Sequence, residues 1–369
     1  MEYTEQNLKN IIAEVPDLDR EAMSACEKRQ AALAKPPGSL GKLEELSIQL
    51  AGITGSVKNT IEKRRIIVMC ADNGVFEEGV SSSPQSVTLS QTINLTKGIT
   101  GCSCLAKHFG NEVVVCDVGV NAVINCPGVI DRKIAMGTKN LVKEPAMTRE
   151  QAIQAVLTGV EMADAAKADG VKIVGVGEMG ICNTTTSSAV LAVLTCSTVE
   201  DVTGRGGGVT DAAFAKKKQV IAAALDLHKP DKNDVLDVLS KVGGFDIAAM
   251  CGVFLGCAKN RIPVVVDGFI SIVAALCAVR LCENVRGYLI PSHHSFELGY
   301  QIAANALDFD AYLMLGMRLG EGSGCPIAFE IVDAACAVIN TMATFEEAEI
   351  NDDYLTDIRK TDSFTVVER

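Results

Sequence analysis

The apolar positions of this chain follow one rhythm near its start and another through its body. Up to about residue 60 they recur at helical spacing among many polar residues. Asp19 is placed to cap a helix running to about Leu33, and the Lys35-Pro36-Pro37-Gly38 segment must end it. A second helix is expected from Ser39 onward, with Leu43, Leu46, Leu50 and Ile53 on one stripe. From about Arg65 short apolar runs alternate with helix-length segments. The runs at 66–71, 113–118 (interrupted by Asp117), 172–176, 264–267, 286–290 and 312–315 each have strand length. The pattern predicts an α/β fold, with a doubly wound, mostly parallel sheet of about six strands covered on both faces.

Two helices carry further signals. The one leading into Lys172 has Thr148 and Gln151 at capping-box spacing, with Ile153, Val156, Leu157 and Val160 on its inner face. The last is expected from about Pro326, which suits a first turn, to Met342, with Ile327, Ile331 and Ala335 at helical spacing. An acidic tail follows from Glu346.

Composition narrows the function classes. A formal charge of -12 and a pI near 4.9 argue against nucleic acid or anionic membrane as main partners, though a glycine loop can still bind a small anion through its N–H groups. No apolar stretch reads as a membrane span, and the start MEYTEQNLKNII has neither the basic residues nor the apolar core of a secretory signal. The 14 cysteines form no CxxC pair, and most lie in apolar runs, as at Cys70, Cys116, Cys196, Cys251 and Cys277. Buried free thiols in a reducing cytoplasm are expected.

The polar and glycine-rich segments gather after the apolar runs. GMRLGEGSG (316–324) follows the run at 312–315 and places Glu321 among four glycines, ahead of the last helix. Glycines let a backbone approach a ligand closely, so Glu321 is the first candidate for a catalytic base. GVGEMGICNTTTSSAV (175–190) follows the third run and offers backbone donors and hydroxyls at a helix start, a setting for phosphate. Gly175, Gly177 and Gly180 also match a loose GxGxxG, the basis of a competing reading as a nucleotide-dependent oxidoreductase. A glutamate inside that fingerprint would repel a pyrophosphate. TGRGGGVTD (203–211) precedes Lys216, Lys217 and Lys218; no GxxxxGK[ST] is present. SHHSFELG (292–299) holds two of the four histidines, without an HExxH, and a structural or substrate-positioning role is expected ahead of metal binding.

Together KPPGSLGKLEEL (35–46), DNGV (72–75), GEMGICNTTT, GRGGG, VVVDGFI, SHHSFELG and GMRLGEGSG span most of the chain. In that order they resemble the nicotinate-nucleotide:5,6-dimethylbenzimidazole phosphoribosyltransferase family. The resemblance implies a large Rossmann-like domain (61–339) carrying the active site and a small helical domain from both chain ends (1–60 plus 340–369), paired as a homodimer. It implies transfer of the 5-phosphoribosyl group from nicotinate mononucleotide to an aromatic base, with inversion and without metal or cofactor. Nicotinate departs neutral, while the acceptor must shed a proton, so a base is needed. By resemblance that base is Glu321. Glu178 matches a second active-site glutamate that orients acceptor or ribose. Gly180, Asn183 and Thr184 match the donor loop, Gly206 and Gly208 the second glycine loop, Lys217 a lysine near the phosphate, and Ser295 the serine of an SxE motif.

The chain departs from the family pattern at two places. Where the family reads SAYPxxVTxQ, residues 81–90 read SSSPQSVTLS, with Ser81 at its start. Ser83 then stands at the tyrosine position and Ser90 at the glutamine position of the acceptor pocket. Cys182 stands at a common glycine. An altered acceptor pocket leaves open a phenol in place of a benzimidazole, this chain being the catalytic subunit of a heterodimer. A non-catalytic partner subunit is a further alternative, against which retention of Glu178 and Glu321 speaks.

Overall fold

Six parallel strands make the central sheet: β1 (Arg64–Ala71), β2 (Glu112–Gly119), β3 (Val129–Asp131), β4 (Ile173–Met179), β5 (Val264–Val266) and β6 (Leu289–Pro291), in the order β3-β2-β1-β4-β5-β6. The computed structural model describes residues 2–356. The strand order reverses direction between β1 and β4, the switch point where open α/β sheets place their ligands. β1, β4 and β5 are buried almost throughout, as the continuous apolar runs require.

Five of the six expected strands are present, and the sixth is not where the pattern placed it. Residues 312–315 form only a single parallel bridge, Leu313 to His293, with Met314 75 % and Leu315 57 % exposed. This run lies alongside 293–296, where His294 N–H donates to the Leu313 carbonyl (2.8 Å) and Phe296 N–H to that of Met317 (2.9 Å). Tyr312 and Leu313 are half-buried, but with Met314 and Leu315 exposed the run has no buried strand face, so composition alone misrepresents it. The sixth strand is β3, partly exposed and ending in Asp131, so no buried apolar run marks it.

The chain divides into two compact units, residues 2–16 with 63–328, and residues 17–62 with 329–356; residues 357–369 of the expected helical domain lie outside the described residues. In the larger unit the helix Glu5–Ala13 is tied in by Glu5 to Arg149 (3.1 Å). Thr148 and Gln151 form the expected capping box on the helix Arg149–Ala168, with its four inner-face residues buried. In the smaller unit, Asp19 caps the helix Arg20–Ala32 by accepting from Ala22 N–H (2.9 Å). The Lys35-Pro36-Pro37 turn is closed by a buried ion pair, Lys35 Nζ to Glu44 Oε1 at 2.7 Å, and the helix Lys42–Thr54 follows it.

In the helix Cys325–Thr341 the buried stripe runs through Ala328, Val332, Ala335 and Ile339, whereas Ile327 and Ile331 are only half-buried. All 14 cysteines are free, and Cys70, Cys116, Cys251 and Cys277 are buried. Cys196 is exposed: it ends the helix Asn183–Thr195 in a left-handed conformation, φ 55°. Among the described residues no helix is long and apolar enough to cross a membrane.

Candidate active site

A cavity of about 240 Å³ opens at the carboxyl edge of the sheet in the larger unit. The segments after β4, β5 and β6 meet there with the 205–209 loop, the 318–321 loop and the start of the helix Ser86–Lys97.

Glu321 enters this cavity on a strained backbone. Its φ is 63°, between Gly320 (85°) and Gly322 (83°), so three successive residues occupy the left-handed region. For a residue with a side chain this costs about 1–2 kcal/mol, and it persists only where the surroundings enforce it. The enforcement is visible. The chain at Glu321 crosses β4 at Gly177, where a Cβ would lie 2.5 Å from the Glu321 carbonyl. Asp267, just beyond β5, accepts from Gly322 N–H (3.1 Å) and Gly324 N–H (2.7 Å). The Glu321 carboxylate, 5 % exposed, is aimed from both sides. Cys102 N–H, in the first turn of the helix Gly101–His108, donates to Oε2 (3.1 Å), and Gln91 Nε2 donates to Oε1 (3.4 Å). A helix amino terminus favours negative charge.

Glu178 ends β4 beside it. Its Oε1 accepts from Glu321 N–H (3.4 Å), and its Oε2 accepts from Asn183 Nδ2, which also donates to Asp246 Oδ2 (3.0 Å). Burial, with Asp246 and Asp267 nearby, pushes the Glu178 carboxyl up to about 8, although the Asn183 amide opposes this. Burial likewise pushes Asp246 up to about 6. Glu178 therefore holds its proton near neutral pH, a neutral acid beside Glu321.

Another part of the cavity lining gathers donors. The helix Asn183–Thr195 points its amino terminus into it from Cys182, held at φ 74°, a conformation for which glycine is the ordinary residue. Lys217 is buried in the helix Asp211–His228. Its ammonium donates to Thr184 Oγ1 (2.9 Å) and the Gly204 carbonyl (3.0 Å), and burial brings its pKa down to about 8. Gly206 and Gly208 have φ values of 57° and 105°, and Arg318 Nη1 donates to the Gly206 carbonyl (3.0 Å). Helix terminus, glycine loop and ammonium together form an arrangement of the kind that binds an anion.

The structure brings Glu321, Glu178, Gly180, Asn183, Thr184, Gly206, Gly208, Lys217, Ser295, Ser81 and Ser83 to one cavity. Ser90 is exposed and outside it. The next residue, Gln91, takes that place, because the helix Ser86–Lys97 turns position 91 inward. An amide therefore stands where the expected departure had a hydroxyl, and the part of the altered-acceptor expectation that rested on Ser90 falls. Gly177 and Gly180 also lose their dinucleotide reading: the first admits the main chain at Glu321, and a Cβ on the second would lie 2.3 Å from the Ala71 carbonyl.

Sequence reasoning missed Gln91 and Asp246, and left Asp267, Glu297 and Arg318 without roles inside segments it had marked. For Asp246 the only signal was its place after Gly243-Gly244 at the start of the helix Phe245–Lys259.

Residues 15–350 match the DBI_PRT phosphoribosyltransferase family, and the chain belongs to it; a switch-point cavity that gathers donors and buried carboxylates suits that class. Its relatives make the class particular. The chain is 51 % identical over 360 residues to the nicotinate-nucleotide--dimethylbenzimidazole phosphoribosyltransferase of Clostridium perfringens (strain ATCC 13124), covering 98 % of this chain and all of that one. To the protein of the same name from Ruminiclostridium cellulolyticum it is 51 % identical over 339 residues, covering 92 % and 96 %. The crystal structure of the Thermus thermophilus phosphoribosyltransferase of that name superposes with a TM-score of 0.85 at 36 % identity, covering 90 % of this chain and 99 % of that one.

Proposed function

We propose that this chain is a nicotinate-nucleotide:5,6-dimethylbenzimidazole phosphoribosyltransferase. It moves the 5-phosphoribosyl group of nicotinate mononucleotide to the benzimidazole with inversion, giving α-ribazole 5'-phosphate and nicotinate for cobamide lower-ligand assembly. The observation that carries this reading is a buried carboxylate fixed from both sides in a cavity that also gathers donors for an anion: Glu321, with the Cys102 N–H and Gln91 on its oxygens. The donor phosphate docks among the helix terminus at Asn183, the 206–208 loop and Lys217, and Ser295 lies along that wall. As the acceptor nitrogen bonds to the ribose carbon, the bond to the pyridinium nitrogen breaks and its electron pair neutralises the ring. The acceptor's N–H proton passes to Glu321. Protonated Glu178 lies beside the reacting groups and orients ribose or acceptor without adding charge. Ser81 and Ser83 border the acceptor.

The homodimer is part of the same reading. Phe296, Leu298, Met314, Leu315 and Leu319 are exposed on two segments that run side by side, an apolar face suited to a second copy of this chain. Light scattering on the purified protein tests it; a monomer at all concentrations refutes it. Fourteen free thiols accord with a cytoplasmic setting.

The test of function is incubation of the purified chain with nicotinate mononucleotide and 5,6-dimethylbenzimidazole, with products separated by chromatography. α-Ribazole 5'-phosphate and nicotinate in equal amounts are expected. Absence of both from protein that binds the mononucleotide contradicts the reading.

A further inference from the structure

Glu297 is a buried carboxylate to which the chemistry above assigns no role. It lies on the segment after β6, at the cavity wall, 9 % exposed, with Oε2 buried and, among the described residues, without a hydrogen-bond partner. That oxygen rests on Gly204: a Cβ at position 204 would lie 1.9 Å from it. The first glycine of the GRGGG run thus makes room for protein rather than ligand. The charged groups around the Glu297 carboxyl are Lys217, from the helix Asp211–His228, and Arg318, from the glycine loop; the Gly206 N–H also faces it.

The same two cations hold the main chain of this loop. Lys217 Nζ donates to the Gly204 carbonyl and Arg318 Nη1 to the Gly206 carbonyl, each at 3.0 Å. The 204–206 loop is therefore gripped at two carbonyls by cations, and at the Gly204 Cα it packs on the Glu297 carboxyl.

We infer that Glu297 is a positioning residue for the phosphate end of the site, holding the 204–206 loop and Lys217 where the donor phosphate docks. The inference rests on the donor placement proposed above. What the loop requires of Glu297 is an acceptor of the right length for the Gly206 N–H, and a glutamine oxygen supplies one.

The experiment compares calorimetric binding of nicotinate mononucleotide and of nicotinate riboside, which lacks the phosphate, to wild type and to Glu297→Ala, Glu297→Asp and Glu297→Gln. Glu297→Ala is expected to weaken the mononucleotide about tenfold, the equivalent of one hydrogen bond, and to leave the riboside within about twofold. Glu297→Asp, one methylene short, gives the same selective loss and serves if the alanine variant does not fold. Glu297→Gln stays within about threefold of wild type for both ligands. Equal weakening of both ligands, unchanged mononucleotide binding in the folded alanine or aspartate variant, or a glutamine variant as weak as alanine overturns the inference. A wild-type protein that binds mononucleotide and riboside equally sinks the phosphate placement itself.

Discussion

The main-chain N–H of Glu321 donates to the Glu178 carboxylate at 3.4 Å, across 143 residues of chain. One glutamate's side chain thus helps set the backbone of the other, and Gly320 permits it, since a Cβ there would lie 2.3 Å from the same Glu178 oxygen. The two residues differ in their surroundings. Glu178 faces Asp246 and Asp267 and is held protonated, while Glu321 receives an N–H from a helix terminus and an amide from Gln91. Neighbouring carboxyls placed in unlike settings can take unlike roles.

Gln91 and Ser90 separate cleanly by mutation. Gln91→Ala removes a donor from Glu321 and is expected to lower kcat about three- to tenfold, the value of one ordinary hydrogen bond, fitting a contact as long as 3.4 Å, while mononucleotide binding stays unchanged. Ser90→Ala is expected to match wild type in kcat and in acceptor KM. A strong effect of Ser90→Ala with none of Gln91→Ala would restore the other register of this helix.

Gly177→Ala tests whether the main chain at Glu321 needs the bare Cα beneath it. The added methyl meets the Glu321 carbonyl at 2.5 Å, and backbone on both sides cannot yield cheaply. A loss of about 1–3 kcal/mol in unfolding free energy is expected, with turnover falling further than stability alone explains. Wild-type kcat in this variant would show that the crossing does not set the catalytic geometry.

Glu178 makes stability depend on pH in a stated direction. Its carboxyl holds a proton in the folded chain up to about 8, against 4.5 for an ordinary glutamate, so between those values the folded state binds the extra proton. The contribution is full below pH 4.5 and is lost as pH rises through about 8, at about 1.4 kcal/mol per unit. Asp246 adds to the same trend over its lower window. Thermal unfolding from about pH 5 to about pH 8.5 is expected to show a declining Tm, with a shallower decline in Glu178→Gln. Identical slopes in the two proteins would place the proton elsewhere.

Much of this was legible in the chain, for physical reasons. Five strands show as apolar runs because both faces of a parallel sheet are covered, and Asp19 and the Thr148–Gln151 pair announce their helices through local hydrogen bonds. Glu321 stood out because so many glycines around one acid serve no ordinary turn. What was not legible depends on contacts between distant segments. Asp246 reaches Glu178 through Asn183, 63 residues away, and no local pattern records it. Residues 312–315 have a strand's composition but form only a single bridge, with Met314 and Leu315 exposed, and β3 is a strand because β2 pairs with it. Gln91 was missed by one residue, a slip that only the facing of the helix Ser86–Lys97 exposes.

At the centre of the proposed chemistry stands Glu321, the base that takes the acceptor's proton. Glu321→Gln keeps the length of the side chain and an oxygen for the Cys102 N–H, while losing the proton acceptor. The decisive measurement is kcat for phosphoribosyl transfer from nicotinate mononucleotide to 5,6-dimethylbenzimidazole in this variant, beside its calorimetric affinity for the mononucleotide. A fall of about 10²- to 10⁴-fold in kcat with donor affinity unchanged is expected. Turnover equal to wild type would contradict the assignment of Glu321.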